Sequence, residues 1–407
     1  MRTLGRQISL LIRKADSAKD RRCVLRDFAR WRAQQGGLPP PQPFSKTLVL
    51  IRLDDIGDYL LFRNQLGTFA SSPRWRSHRI TLLGNDSWQS LFMSLDRESV
   101  DEVLWVNKRR YLESSAYRLE LWAKLRSRGF ETVVAPSRTR PLLLDDLCML
   151  AAAPVHRIGC TNTNVHESWN RLSDELYTSL FTPSRLLMHE FQFNGEFAHW
   201  LCGIRYSGDR PRIENQLPPP VAGSYVVCFV GANARSKRWP AKRWIEFTRL
   251  HHRYFSSTLF FAGNSKAEIE MARIIQRRTG AKSIAGTNSL SDLLQWVAGA
   301  EALVTNDTMA AHMGASLNTP TVIVASGTNY MRFAEYRRAG IANIATVYPE
   351  VFSRRRKRVG DVPIYPHRDT VSADIASIRA DTVMNELKNL IQKETPGFAG
   401  ERGGSGI

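Results

Sequence analysis

Residues 302–326 read ALVTNDTMAAHMGASLNTPTVIVAS, and this stretch decides the fold. Ala302–Thr305 is a short apolar run of the kind that fills a strand buried on both faces. Asn306, Asp307 and Thr308 break it with side chains suited to start a helix, because their oxygens accept first-turn N–H groups. Met309–Leu317 is rich in Ala and Met and predicts a short packed helix. Asn318-Thr319-Pro320 ends it, and Thr321–Ala325 begins another strand. Strand, polar turn, helix, strand is the unit of a parallel α/β sheet. A helix N-terminus at the carboxyl end of such a strand gathers N–H groups and positive dipole, and so offers an anion site.

The same unit recurs on both sides. Upstream, Ser224–Val230 is apolar throughout and is followed by Gly231-Ala232-Asn233-Ala234-Arg235-Ser236-Lys237-Arg238-Trp239-Pro240. Pro240 is tolerated at a helix start, so the helix is placed at Ala241–Tyr254. Three cations, Arg235, Lys237 and Arg238, thus stand between a strand end and a helix start. Thr258–Ala262 is the next strand, then Gly263-Asn264-Ser265 and a helix from Glu268. Ser289 or Ser291 caps a helix to Ala298. Asn343–Tyr348 is a further strand, followed by the basic run Arg354–Arg358 and a late helix, Ser372–Leu390.

The first half repeats the pattern. Thr47–Leu53 is a buried strand, ended by Asp54-Asp55-Ile56-Gly57-Asp58 and a helix, Tyr59–Phe69. Strands follow at Arg79–Leu83, Glu102–Val106, Glu131–Ala135 and Val155–Ile158, with helices between them such as Tyr111–Arg128 and Glu190–Gly203. Four Pro within 208–220 mark a linker. Residues 1–45 form a basic extension with two apolar stripes, Leu4/Ile8/Leu11/Ile12/Ala15 and Val24/Leu25/Phe28/Trp31. Such a helix can lie on an anionic membrane or pack on the domain with its charges in water. The Gly-rich tail is expected to be disordered. The domains are accordingly 1–45, 46–207, a linker at 208–221, 222–392, and a tail at 393–407.

The 407 residues carry a net charge of +19, which favours polyanionic partners such as a phosphorylated glycolipid or an anionic membrane. Five Cys without CxxC spacing suggest free thiols in a reducing compartment and no structural zinc. No apolar run has the length of a spanning helix, and no export signal is expected. A nicotinamide-dependent oxidoreductase is disfavoured because no GxGxxG follows a strand. A nucleic-acid-binding protein lacks any RRM, zinc or helix-turn-helix signature.

These stretches resemble glycosyltransferase family 9, the heptosyltransferases of lipopolysaccharide assembly. Arg52, Asp54, Gly57 and Asp58 match its opening Arg-x-Asp-x-x-Gly-Asp. Gly231-Ala232 and Lys237-Arg238-Trp239-Pro240 match its Gly-Ala and basic Trp-Pro segments. Asn306, Asp307, Thr308, His312 and Thr319-Pro320-Thr321 follow its central motif. Two departures stand out: Met309 where the family has Gly, and Arg354–Arg358 where a Cys cluster often lies. Together they leave open a fold that has lost activity or takes another donor.

The resemblance implies an α/β, GT-B-like fold. Two Rossmann-type doubly wound parallel-sheet domains face a cleft, with the basic helical extension added. It implies inverting transfer of a sugar, by resemblance heptose from ADP-heptose, to a lipopolysaccharide or related glycan, with no cofactor and no metal. Asp58 would be the base. Lys237, with Arg235 and Arg238, would neutralise the departing diphosphate. Gly231, Ala232, Thr308, Met309, Ala310 and His312 would complete the donor site, with Asp307 on sugar hydroxyls. Glu268 or Glu270 would hold the ribose. Arg52, Asp54 and Gly57 lie on the acceptor side. The expected location is cytoplasmic, peripheral on the inner membrane face, with no specific nucleic acid.

Overall fold

The computed structural model describes residues 19–35, 42–163, 167–185, 187–214, 218–328, 330–359 and 373–394. The chain divides into two compact units, residues 1–208 and 209–407.

Among its described residues the first unit holds one parallel sheet of β1 (Phe44–Arg52), β2 (Arg79–Asn85), β3 (Glu102–Val106), β4 (Phe130–Ala135), β5 (His156–Cys160) and β6 (Ser179–Phe181). The spatial order is β3-β2-β1-β4-β5-β6. The described part of the second unit repeats this plan with β7 (Tyr225–Phe229), β8 (Thr258–Ala262), β9 (Lys282–Ser283), β10 (Ala302–Asn306), β11 (Thr321–Val324) and β12 (Ile344–Val347). Its order, β12-β11-β10-β7-β8-β9, is the same one read from the other edge. Each is the doubly wound order of a dinucleotide fold. The order reverses between β1 and β4 in one unit and between β7 and β10 in the other. At such a switch point successive loops part and leave a crevice beyond the carboxyl ends of the strands.

The apolar strands bury both faces because helices cover them. The first core joins Val49, Ile51, Leu83, Val106, Trp122 and Val133. The second joins Val226, Val304, Val324, Trp244, Phe247 and Phe261. Each unit therefore carries its own core.

Several elements differ from the sequence expectation. The helix expected at Tyr59–Phe69 is two, Ile56–Phe62 and Asn64–Ser71, joined by Arg63 in helical geometry. The one expected at Tyr111–Arg128 is also two, Lys108–Glu113 and Ser115–Ser127. Ser114 turns extended between them, and its hydroxyl accepts the Tyr117 N–H at 3.3 Å. A capping serine here outweighs continuous apolar spacing. The basic run 354–358 lies in a helix, Glu350–Val359. Its Arg356 turns inward over the Tyr330 ring at 3.5 Å, while Arg354, Arg355, Lys357 and Arg358 stay exposed.

The extension shows how its second stripe is used. In the helix Lys19–Gln35, Val24, Leu25, Phe28 and Trp31 are buried. Phe28 and Trp31 pack on Trp122 with ring centroids 5.1 and 5.9 Å away. Asp27 pairs with Arg118, which also donates to the carbonyls of Tyr111 at 2.6 Å and Leu112 at 2.9 Å. This stripe packs on the first unit. The first stripe, Leu4–Ala15, and the tail from residue 395 lie outside the described residues. No described helix is long and apolar enough to cross a membrane.

Candidate functional site

In the second unit β7 and β10 are adjacent in parallel register, Ala302 to Val226 through Thr305 to Phe229. Asn306 ends β10 fully buried. Its amide donates to the carbonyls of Val230 at 2.8 Å and Gly231 at 3.2 Å, and its Oδ1 accepts the Trp239 N–H at 3.1 Å. One side chain thus ties both ends of the basic loop to β10. Asn306 carries no charge and was legible only as a motif residue, yet it sets the loop. Trp239 anchors the same loop from below, edge-on to Trp244 at 4.9 Å, with Nε1 donating to the Ile378 carbonyl at 3.1 Å. Arg238 Nε donates to the Ala232 carbonyl at 2.8 Å, which closes the loop on itself.

This scaffold delivers Lys237 Nζ to 3.0 Å from Asp307 Oδ2. Arg235 stands exposed at the start of the loop's single 3-10 turn. Thr308 takes the N-cap of the helix Met309–Leu317 in extended geometry, but its side chain makes no capping bond. The first-turn N–H groups of Met309 and Ala310 are left to another acceptor, beside the Lys237 ammonium.

Met309 is half-buried, and its φ is not among the positive values, which for described non-Gly residues occur at Lys46, Ala153 and Asn318. The backbone here does not require Gly. Met309→Gly should leave nucleotide affinity unchanged or improved and cost under about 1 kcal/mol of stability, the helix-propensity gap. Calorimetry and a thermal melt check this; a large loss of affinity would mean that the Met side chain itself touches ligand.

The two acidic candidates, Glu268 and Glu270, differ in geometry. The helix Lys266–Thr279 begins at Ser265 with a capping box. Glu268 Oε2 accepts the N–H groups of Asn264 at 2.7 Å and Ser265 at 2.9 Å. This folds the carboxylate back between two glycines. A Cβ on Gly231 would lie 2.5 Å from Glu268 Oε1, and one on Gly263 would lie 2.6 Å from Glu268 Cβ. Glu268 therefore sits at the carboxyl ends of β7 and β8. Glu270 is exposed and pairs with Arg273 at 2.6 Å. His312 is buried, with Nδ1 sharing a hydrogen bond with the Tyr336 hydroxyl and its ring 5.7 Å from Phe333. Burial, with the Asp307 charge behind it, holds the Tyr336 hydroxyl well above its ordinary pKa. Tyr336 carries no motif, so sequence reasoning had no signal for it.

In the first unit Arg52 ends β1 and is buried, its guanidinium 4.4 Å over the Phe62 ring. Its Nη2 lies 2.8 Å from Asp54 Oδ2 and donates to the Asp58 carbonyl oxygen at 3.2 Å. Its Nε and Nη1 find no protein partner. Gly57 and Asp58 stand in the first turn of Ile56–Phe62, with the Asp58 side chain half-buried. The Asp54 carbonyl accepts from Asn85 Nδ2 at 2.8 Å and Trp88 Nε1 at 3.2 Å, which fixes the turn. Burial raises the Asp54 pKa, opposed by Arg52 and reinforced by Glu190.

Loops after β4 supply groups that no motif announced. Ser137 Oγ lies 3.3 Å from Asp54 Oδ2. Asp145 is buried with Oδ1 unpartnered, and burial, then the charges of Asp54 and Asp146, push its carboxyl well above the usual range. Arg140 holds Asp174 at 2.6 Å and stacks on Tyr177 at 4.2 Å. The motif residues and these loops meet at the β1/β4 switch point. Among the described residues no group of three or more His, Cys, Asp or Glu is placed to hold a metal.

Residues 196–358 match the model of glycosyltransferase family 9 (heptosyltransferase). No curated protein matches the chain in sequence. Among solved structures, a family 9 glycosyl transferase from Veillonella parvula is 16% identical with a TM-score of 0.64, over 86% of this chain and 98% of that one. E. coli heptosyltransferase WaaC, solved with ADP, is 16% identical with a TM-score of 0.64, over 84% and 99%. E. coli ADP-heptose lps heptosyltransferase II is 15% identical with a TM-score of 0.57, over 86% and 99%. At these identities the structures show a shared GT-B-like fold. With the match over residues 196–358, which spans β7–β12, that part of the chain is similar to glycosyltransferase family 9 (heptosyltransferase), and the protein reads as a glycosyltransferase.

Proposed function

We propose that the protein moves a heptose, with inversion, from ADP-heptose to a lipopolysaccharide or related glycan acceptor. The observation that carries this is the Lys237–Asp307 pair at the β7/β10 switch point, 3.0 Å apart and beside an uncapped helix start. Such a site suits a diphosphate, with charge from Lys237 and direction from the N–H groups of Thr308, Met309 and Ala310. WaaC has been solved with ADP and with an ADP-2-deoxy-2-fluoro heptose, which supports the choice of donor.

In the reaction the Asp58 carboxylate takes the proton of an acceptor hydroxyl. The hydroxyl oxygen bonds to the anomeric carbon from the face opposite the nucleotide. The bond from that carbon to the diphosphate oxygen breaks, and its electron pair leaves with the diphosphate. Lys237, Arg235 and Arg238 neutralise that charge, so no metal is needed. Glu268 holds the ribose, Asp307 accepts from sugar hydroxyls, and Gly231 and Ala232 let the backbone approach. His312 orders the helix through Tyr336. Arg52 and Asp54, with Gly57, position the acceptor.

The test is calorimetry with ADP- and UDP-linked sugars side by side. ADP-heptose should bind, and Lys237→Ala should weaken it by about 1.5–3 kcal/mol, the range for a hydrogen bond to a charged group. Unchanged ADP and UDP titrations in that variant would remove the loop from the phosphate site.

The excess charge supports peripheral contact with the inner face of the cytoplasmic membrane. Residues 1–35 hold ten Lys or Arg against three Asp, and Arg354, Arg355, Lys357 and Arg358 are exposed. Basic residues near an anionic surface contribute about 1 kcal/mol each. Because the Lys19–Gln35 helix belongs to the first core, the informative deletion is residues 1–18. It should reduce salt-reversible sedimentation with anionic vesicles and leave donor affinity intact. Equal sedimentation of both proteins would assign the membrane contact elsewhere or remove it.

A further inference from the structure

The carboxyl ends of the first unit's strands carry the acceptor-side residues, but the amino ends of β4, β5 and β6 frame a separate cavity of about 440 Å³. That volume lies in the range of small-molecule sites. Trp200 on its wall is 41% exposed, a large indole left facing solvent. Its ring is backed by Phe181 at 5.6 Å and Phe197 at 5.8 Å, so a flat apolar face is held in place before any ligand arrives. Across the cavity Trp75 is almost fully buried, with Arg74 stacked on it at 4.6 Å and His78 edge-on at 4.9 Å. Arg74 is steered further by its Nη1, 3.4 Å from the Leu201 carbonyl.

The remaining lining is polar in both senses. Arg74 donates and Glu131 accepts, while His78 and His156 can do either. Glu131 Oε2 already takes the Lys46 N–H at 2.8 Å, which fixes the carboxylate. Burial lowers the His78 pKa, which disfavours its charged form. One guanidinium then balances one carboxylate, and the cavity selects for neither sign of charge. A rigid indole face beside planar donors and acceptors suits a ring with apolar C–H faces and vicinal hydroxyls around its edge.

We propose that this cavity is a second, non-catalytic saccharide subsite on the first unit, taking a neutral pyranose unit of a glycan chain. Trp200 stacks on the sugar face, and Arg74 and Glu131 bind neighbouring hydroxyls. β4 runs six residues at about 3.3 Å per residue, so the subsite lies on the order of 20 Å from the carboxyl-end loops. A glycan of several units would be held there apart from the reacting hydroxyl.

The test is calorimetry on the full chain saturated with ADP. The probes are maltotetraose and the core oligosaccharide released from lipopolysaccharide by mild acid. Saturable binding of at least one probe is expected. It should weaken at least about tenfold in Trp200→Ala, as for loss of an aromatic contact. Arg74→Ala, an exposed position, should weaken it too and guards against misfolding in the first variant. Turnover with a single-sugar acceptor should stay at the parent level in both. Absence of saturable binding for both probes, or isotherms unchanged in both variants, overturns the subsite. Binding is read without transfer, so a failed donor assignment leaves this result interpretable.

Discussion

Replacing Asp58 by Asn is expected to lower turnover by about 10²–10⁴, the weight of a positioned general base, while ADP affinity stays within about twofold. The substitution is nearly isosteric. Arg52 binds the Asp58 backbone carbonyl, so the contact that fixes this turn survives. Asp58 lies in the first turn of its helix, where losing a negative charge costs about 0.3–1 kcal/mol. The variant should therefore fold and bind donor, and only the acceptor proton should lack a home. Single-turnover assays with ADP-heptose, alongside an ADP titration, separate the two. Parent-level turnover would take Asp58 out of the mechanism. A parallel loss of ADP affinity would mean that its role is structural.

The second large effect lies far from the chemistry. Asp27→Ala should destabilise the first unit by about 3–5 kcal/mol, because Arg118 would keep its charge in the core without a counterion. Arg118 is 1% exposed, and its bonds to the Tyr111 and Leu112 carbonyls satisfy N–H groups but supply no full negative charge. Those bonds also close the end of Lys108–Glu113, so the fault should spread to that helix. A denaturant melt measures it. A change below about 0.5 kcal/mol, the ordinary surface value, would show that the pair contributes nothing. The wild-type chain with residues 1–18 removed should melt like the parent, which separates the packed helix from the basic leader.

Strand and helix ends were legible where local chemistry and tertiary context agree. Glu102–Val106, Thr258–Ala262, Ala241–Tyr254 and Met309–Leu317 lie where the sequence places them. Each is bounded by Gly, Pro, Asn or Ser, and each buries an apolar face. Two of the four edge strands, Ser179–Phe181 and Lys282–Ser283, carried no signal because two or three residues have no periodicity. The Lys237–Asp307 pair of the candidate donor site was readable because motifs mark both residues. The difference in placement between Glu268 and Glu270 was not, since it depends on a capping box that folds the Glu268 carboxylate back onto Gly231 and Gly263. Asp145, Arg140 and Tyr177 escaped for a related reason. They come from the segments that follow β4 and β5, whose residues converge only once the sheet order is set.

The docked helix also has a history on the ribosome. Asp27 meets Arg118 across 91 residues of sequence, and Phe28 and Trp31 wait for Trp122. At about 5–20 residues per second, that interval lasts roughly 5–20 s, and the partners must then clear the exit tunnel. Throughout it a cationic helix with two aromatic rings emerges without its cover. Nascent chains stalled before residue 118 should therefore engage general chaperones through this segment, and chains stalled well past the Trp122 helix should release them.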